Sequence, residues 1–317
     1  MDAWLGRMQW GLLGLACLLL AGASMAASPP ATTSRPDGHH VLVLGRISDD
    51  PSAHHAQLQP LLDYVVAHMR DLGIREGRVL MARDAQQMGS YLRRGRVDWV
   101  TETASTAVAL GQRADARPLL LTERSGVREY HSVFFVRRGS ALHELADLRG
   151  RTLALQNPAS TSAYLVPAMT LLDNGLTPQI LQEPDDRPSA DAVGYVFART
   201  ELNIATYVHK GMVDAGAVSS VDWDDERRVP PAFKHDFRVV FRTASYPRAV
   251  EVVRADLDPR VRERLQQVLL DAARDPQANE ALARFFGTSG FHRVDARMQQ
   301  RLNDLRRGLV RVRMEVE

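Results

Sequence analysis

Cysteine is almost missing from this chain of 317 residues: Cys17 is the only one. Lysine is nearly as scarce, with only Lys210 and Lys234; every other basic residue apart from histidine is arginine, a skew that carries no functional weight by itself. Charge of one sign is also lacking, since 40 basic residues face 38 acidic ones and leave a formal charge of +2. A protein that grips nucleic acid through its phosphates needs a basic excess or a basic stripe, and neither is present. Beyond the first two dozen residues no apolar run reaches the roughly 20 residues that a membrane-spanning helix requires. No Gly-x-Ser-x-Gly elbow marks a serine nucleophile. What remains, 45% hydrophobic and 25% charged residues, is the composition of a folded protein with room for two α/β domains.

The N-terminus reads as an export signal. Arg7 supplies a positive start, Trp10 to Ala23 is apolar, and Ser24-Met25-Ala26 offers small residues for cleavage. Residues 1–26 are therefore expected to be a cleaved signal peptide and the product to be periplasmic. Cleavage near Ala26 removes Cys17, and with it disulfides, thiolate metal sites and cysteine nucleophiles. Residues 27–40, rich in Pro, Ser and Thr, read as a flexible leader.

From Val41 the pattern alternates. Val41–Leu44 is a buried strand, Leu58 to Leu72 has the three- and four-residue spacing of an amphipathic helix ending before Gly73, and Val79–Met81 is a strand. A helix around Met88 to Leu92 and a strand at Val97–Val100 follow, the grammar of a parallel sheet covered by helices. It restarts with strands at His131–Val136, Arg151–Leu155, Val193–Phe197, Val213–Val218 and Phe237–Phe241, and with helices between them. After Val250–Val253 the chain is expected to be wholly helical. The expected fold class is α/β with two lobes: 41–126 with 250–309, and 127–249. Ligand sites in such folds lie at the carboxyl ends of the strands.

Ser160-Thr161-Ser162 follows a strand and opens a helix. Three hydroxyls beside free N–H groups at the positive end of a helix make an anion site, and the same residues also make ordinary N-caps. Pro167 predicts a kink, or a first turn with the helix restarting at Pro167, because proline has no N–H for the preceding turn. Asn157-Pro158-Ala159-Ser160-Thr161-Ser162-Ala163-Tyr164-Leu165-Val166-Pro167 resembles the Asp-Pro-x-Ser-Thr-Ser-Gly-Tyr-x-x-Pro motif of the phosphate/phosphite/phosphonate periplasmic binding family. The blocks around Tyr130 to Arg137, Leu145 to Gly150 and Gly211 to Ala217 are similar to the same family.

The resemblance implies a type II periplasmic binding protein fold, two lobes joined by a hinge and closing on a ligand. It implies a solute-binding protein rather than an enzyme, delivering a small oxyanion to an ABC importer; presentation to a membrane sensor would use the same lobes. In that family the Ser-Thr-Ser run holds the oxyanion. Tyr130 matches a family tyrosine able to donate its hydroxyl, or else packs as an ordinary aromatic. Glu201 matches a glutamate that grips a ligand amine, but Thr200 stands where aminophosphonate binders have histidine. Thr101 and Thr103, at the end of the third strand, alternate onto one side and offer two further hydroxyls. Glu102 between them reads as a structural carboxylate bonded to backbone donors, with Arg124 as an alternative partner. No metal or cofactor is expected, because the adjacent histidine pairs point to opposite faces and the acidic cluster Asp222, Asp224, Asp225 and Glu226 reads as a surface loop.

Overall fold

The computed structural model describes residues 41–317; the segments expected to be an export signal and a leader, and Cys17 with them, lie outside the described residues. The chain starts with β1 (Val41–Ile47), whose Leu42, Val43 and Leu44 are buried. In α1 (Pro51–Ala67) the N–H of Ala53 donates to the cap Asp50, and Leu58, Leu61, Leu62, Val65 and Val66 form the buried stripe. A 3₁₀ turn (Arg70–Leu72) and Gly73, at φ 80°, close it, so the helix ends sooner than its apolar period. β2 (Glu76–Ala82), α2 (Ala85–Arg93), β3 (Trp99–Glu102), α3 (Ala104–Ala114) and β4 (Arg117–Arg124) follow. The strand β4, with its Leu119–Leu121 run, was not among the expected ones.

The chain then passes through β5 (Glu129–Tyr130) into the second sheet. That sheet comprises β6 (Ser132–Arg137) and β7 (Thr152–Leu155), then, beyond α4 (Val166–Asp173), β8 (Thr177–Ile180) and β9 (Ala192–Phe197). After α5 (Glu201–His209) come β10 (Ala215–Ser219), α6 (Ser220–Asp224), α7 (Pro231–Lys234) and β11 (Phe237–Arg242). Its order is β11-β6-β10-β7-β9-β8, parallel from β10 to β8 and antiparallel at β6 and β11. Asp222 and Asp224 lie in α6 rather than in a loop, and Asp222 accepts from the Ser219 hydroxyl.

β12 (Tyr246–Pro247) carries the chain back, paired antiparallel with β5 at Tyr246 and Tyr130. This two-stranded ribbon is the hinge between the sheets. β13 (Ala249–Val253) then enters the first sheet between β3 and β4, antiparallel to both. Beyond α8 (Pro259–Ala272) and α9 (Asn279–Arg284), the segment expected to be wholly helical contains β14 (Thr288–His292), antiparallel to β4. Its sequence, Thr-Ser-Gly-Phe-His, has one large apolar side chain and no clean alternation; pairing with β4 makes it a strand. The first sheet is thus mixed, in the order β14-β4-β13-β3-β1-β2.

α10 (Ala296–Glu315) buries Met298, Leu302, Leu305 and Val312 in a core shared with Val43 and Leu121 of one lobe and Phe134 and Leu171 of the other. Burial of each such side chain contributes about 1.5–3 kcal/mol. The helix rests on both α3 and α4: Gln112 Nε2 donates to the Arg306 carbonyl at 3.2 Å, and Arg311 pairs with Asp173 at 2.8 Å.

Candidate functional site

The Ser160–Ser162 run leaves β7 in an extended conformation and enters a single π turn, Thr161–Leu165, before α4 begins at Val166. Leu165 N–H donates to the Ser160 carbonyl and Val166 N–H to the Thr161 carbonyl, one residue wider than an α-helix. Pro167 explains the widening. In a regular helix the Ala163 carbonyl would require an N–H from residue 167; here it accepts from Gln156 N–H at 2.9 Å, and Ala163 sits at φ −115°, ψ 17°. The expected kink is therefore present, placed before the proline. Ser160 caps the turn through Ala163 N–H at 3.1 Å, while Thr161 and Ser162 are buried.

On the side of the first sheet, α3 has Thr103 as its N-cap residue, whose hydroxyl makes no cap bond and instead meets those of Ser105 (3.2 Å) and Thr106 (3.1 Å). The cap comes from the opposite lobe. Ser105 N–H donates to Thr161 Oγ1 at 2.9 Å, Thr161 Oγ1 donates to Ser105 Oγ at 2.8 Å, and Ser105 Oγ donates to the Ala159 carbonyl at 3.0 Å. Two helical first turns thus face one another with their positive ends together, an arrangement that favours negative charge between them. Ser105 and Thr106 escaped the sequence reading; a Ser-Thr pair opening a helix directly after a strand was the available signal.

Thr101 and Thr103 do not converge. Thr101 donates its hydroxyl hydrogen to Glu251 Oε1 at 2.8 Å and accepts from Arg124 Nη2 at 3.1 Å. Glu251 is fully buried and also accepts from Trp99 Nε1 (2.6 Å) and Thr122 Oγ1 (2.5 Å). Burial outweighs these bonds and the nearby Arg124, and raises the Glu251 pKa. Glu102 accepts from Ile47 N–H (2.9 Å) and Thr103 N–H (3.2 Å), as a structural carboxylate should. Its cationic partner is Arg46 at 3.5 Å.

Tyr130 is buried in the hinge strand, with the Arg248 guanidinium 5.0 Å from its ring centroid. Glu201, in the first turn of α5, accepts from Gln156 Nε2 at 2.5 Å and lies 3.4 Å from Arg228 Nη1. Its pKa is raised, by burial first and then by Asp222, against Arg228 and Arg248. Thr200 caps that helix through Asn203 N–H at 3.1 Å. Arg46 and Arg248, which lie close enough to act on Arg124, were not singled out in the sequence, because nothing local separates them from the many other arginines.

Two six-stranded α/β lobes, joined by a two-stranded ribbon and meeting at two helix starts, make the type II periplasmic binding protein fold. Residues 46–298 match the periplasmic substrate-binding proteins of ABC phosphonate transporters, and the chain belongs to that family. Its members bind and deliver substrates and are not enzymes. Among solved structures, XAC2383 from Xanthomonas citri bound to chloride ion is 57% identical, with a TM-score of 0.82 over 86% of this chain and 99% of that one. XAC2383 bound to ATP gives 56% identity and the same TM-score of 0.82 over 88% and 100% of the two chains. PhnD1 from Prochlorococcus marinus, in complex with methylphosphonate, shares the fold at 16% identity, with a TM-score of 0.59 over 86% and 99%.

Proposed function

We propose that this protein captures a small oxyanion of the phosphonate, phosphate or phosphite kind in the cleft between its lobes and delivers it to the permease of an ABC importer. The observation that carries this reading is the meeting of the α3 start with the Thr161 turn, joined through Ser105 and Thr161. A ligand oxygen can take the place of the Thr161 hydroxyl at Ser105 N–H, with Ser160, Thr161, Ser162 and Thr103 donating around it. Tyr130 adds a hydroxyl from the hinge, Thr101 acts through Arg124, and Glu201 receives an amine where the ligand carries one. The chloride and ATP bound to XAC2383 and the methylphosphonate bound to PhnD1 support an anion as ligand. Export through a signal peptide cleaved near Ala26 would place the protein in the periplasm.

A thermal-shift panel of phosphate, phosphite, methylphosphonate, a sulfonate, pyrophosphate and ATP tests the reading on the exported protein, followed by calorimetric titration. A true ligand at a hundred times its dissociation constant adds about 2.7 kcal/mol of stability. Thr161→Ala should weaken the best of these about ten- to a hundredfold, since hydrogen bonds to a charged group are worth about 1.5–3 kcal/mol each. If no oxyanion stabilises the protein and a neutral or cationic solute does, the function is wrong. If Thr161→Ala binds as tightly as the parent, the run is only a helix cap.

A further inference from the structure

We propose that Arg46 and Arg124, backed by the ring of Phe286, form a second anion half-site on the lobe of the first sheet, and that the ligand is a multiply charged oxyanion of the diphosphate kind, one anionic group resting on each lobe. This rests on the cleft being the ligand site and adds to it the charge class of the ligand.

Both guanidiniums lie at carboxyl ends of parallel or adjoining strands, Arg46 near the end of β1 and Arg124 at the end of β4. Both lie against Phe286, at 4.8 and 4.3 Å from its ring centroid. A ring shields a cation from water without neutralising it, so the Arg124 charge stays available to a ligand, while Arg46 is shared with Glu102 at 3.5 Å and donates to the Thr101 carbonyl at 2.9 Å. Arg124 is buried, 7% exposed, and has no carboxylate in ion-pair contact among the described residues; the hydrogen bond its side chain makes runs to Thr101. The Nε atoms of both Arg46 and Arg124 are buried without a hydrogen-bond partner. Buried guanidinium donors left empty are costly, and a guanidinium fork is shaped to grip phosphate oxygens in pairs.

The surrounding charges do not balance. Burial first, and then Arg46 and Arg248, pull the Arg124 pKa down to about 9, against Glu251 and Glu102. Glu251 receives three neutral donors and Glu102 two backbone N–H groups, which leaves neither free to grip Arg124. Phe286 itself has φ 55°, in the left-handed region that an aromatic residue rarely adopts, inside a turn closed by Gly287 N–H on the Ala283 carbonyl at 3.0 Å and Thr288 N–H on the Phe285 carbonyl at 3.1 Å. The Thr161 turn meets α3 at Ser105, three residues beyond Glu102, the partner of Arg46, so the hydroxyl and arginine groups follow one another along the same β3–α3 segment.

Calorimetric titration of pyrophosphate and of methylphosphonate into the parent protein and into Arg46→Gln and Arg124→Gln tests this. The expected result is pyrophosphate binding weakened at least tenfold in each variant, and by at least threefold more than methylphosphonate binding. Arg46→Gln keeps the test open if Arg124→Gln fails to fold, because Glu102 retains its two backbone donors. An equal loss for both ligands means one site, not two, and overturns the proposal, as does no loss for either. If the parent binds methylphosphonate and not pyrophosphate, the half-site falls while the oxyanion function stands. If the parent binds no oxyanion at all, the function itself falls.

Discussion

Glu251 shows how much of the cleft depends on one residue that touches no ligand in the proposed site. Its oxygens collect Trp99, Thr101 and Thr122, and through Thr101 it orients Arg124. Its pKa lies above the ordinary 4.5 because burial dominates. The folded state therefore holds this proton more tightly than the unfolded state does. The resulting stabilisation is fully present below about pH 4.5 and is lost as pH rises through the folded-state pKa. Glu251→Gln removes that titration and turns an amide N–H toward a donor, at a cost of about 1–3 kcal/mol. The stability gap between parent and variant, measured by urea unfolding, should shrink as pH rises from 4.5 toward 7, by at most about 1.4 kcal/mol per pH unit. A gap that stays constant across that range would mean that Glu251 titrates alike in the folded and unfolded states.

Among the elements, α10 has the widest reach, because its apolar stripe belongs to the core of both lobes. Its approach to α4 depends on Gly308, where an added Cβ would overlap the Met169 side chain. Overpacking of this kind costs about 1–3 kcal/mol, and Met169 can give way in part. Alanine also gains about 1 kcal/mol of helix propensity over glycine, so Gly308→Ala should lie close to the parent or slightly below it. Gly308→Val, larger and β-branched, should lose about 2 kcal/mol or more. Thermal unfolding of the two variants ranks them, and a Gly308→Val protein as stable as the parent would mean that the helices do not meet closely at this point.

At the scale of the whole molecule, the lobes are joined by the β5–β12 ribbon and touch through Ser105 and Thr161. A ligand that contacts both lobes favours the closed state by its difference in affinity for the two states. The radius of gyration from small-angle scattering should be smaller with saturating oxyanion than after the protein is stripped of ligand. Equal radii, with binding established by calorimetry, would remove hinge closure from the mechanism.

The sequence alone determined the α/β alternation, the kink ahead of Pro167, the helix start at Ser160–Ser162 and the backbone-bonded role of Glu102. Each follows from periodicity, from a missing N–H or from local capping, and those are short-range properties. The motif around Ser160 also carried the family, because eleven consecutive residues preserve one turn chemistry. Tertiary structure decided the rest. β14 is a strand only because β4 offers it hydrogen bonds, and Thr101 is withdrawn from Thr103 because Glu251 arrives from a strand 150 residues away. The cap of α3 comes from Thr161 in the other lobe, 56 residues along the chain. Arg46 and Arg124 become a pair only where two strand ends and the Phe286 loop meet. No local pattern encodes such contacts, since they join segments whose separation in sequence leaves no period to read.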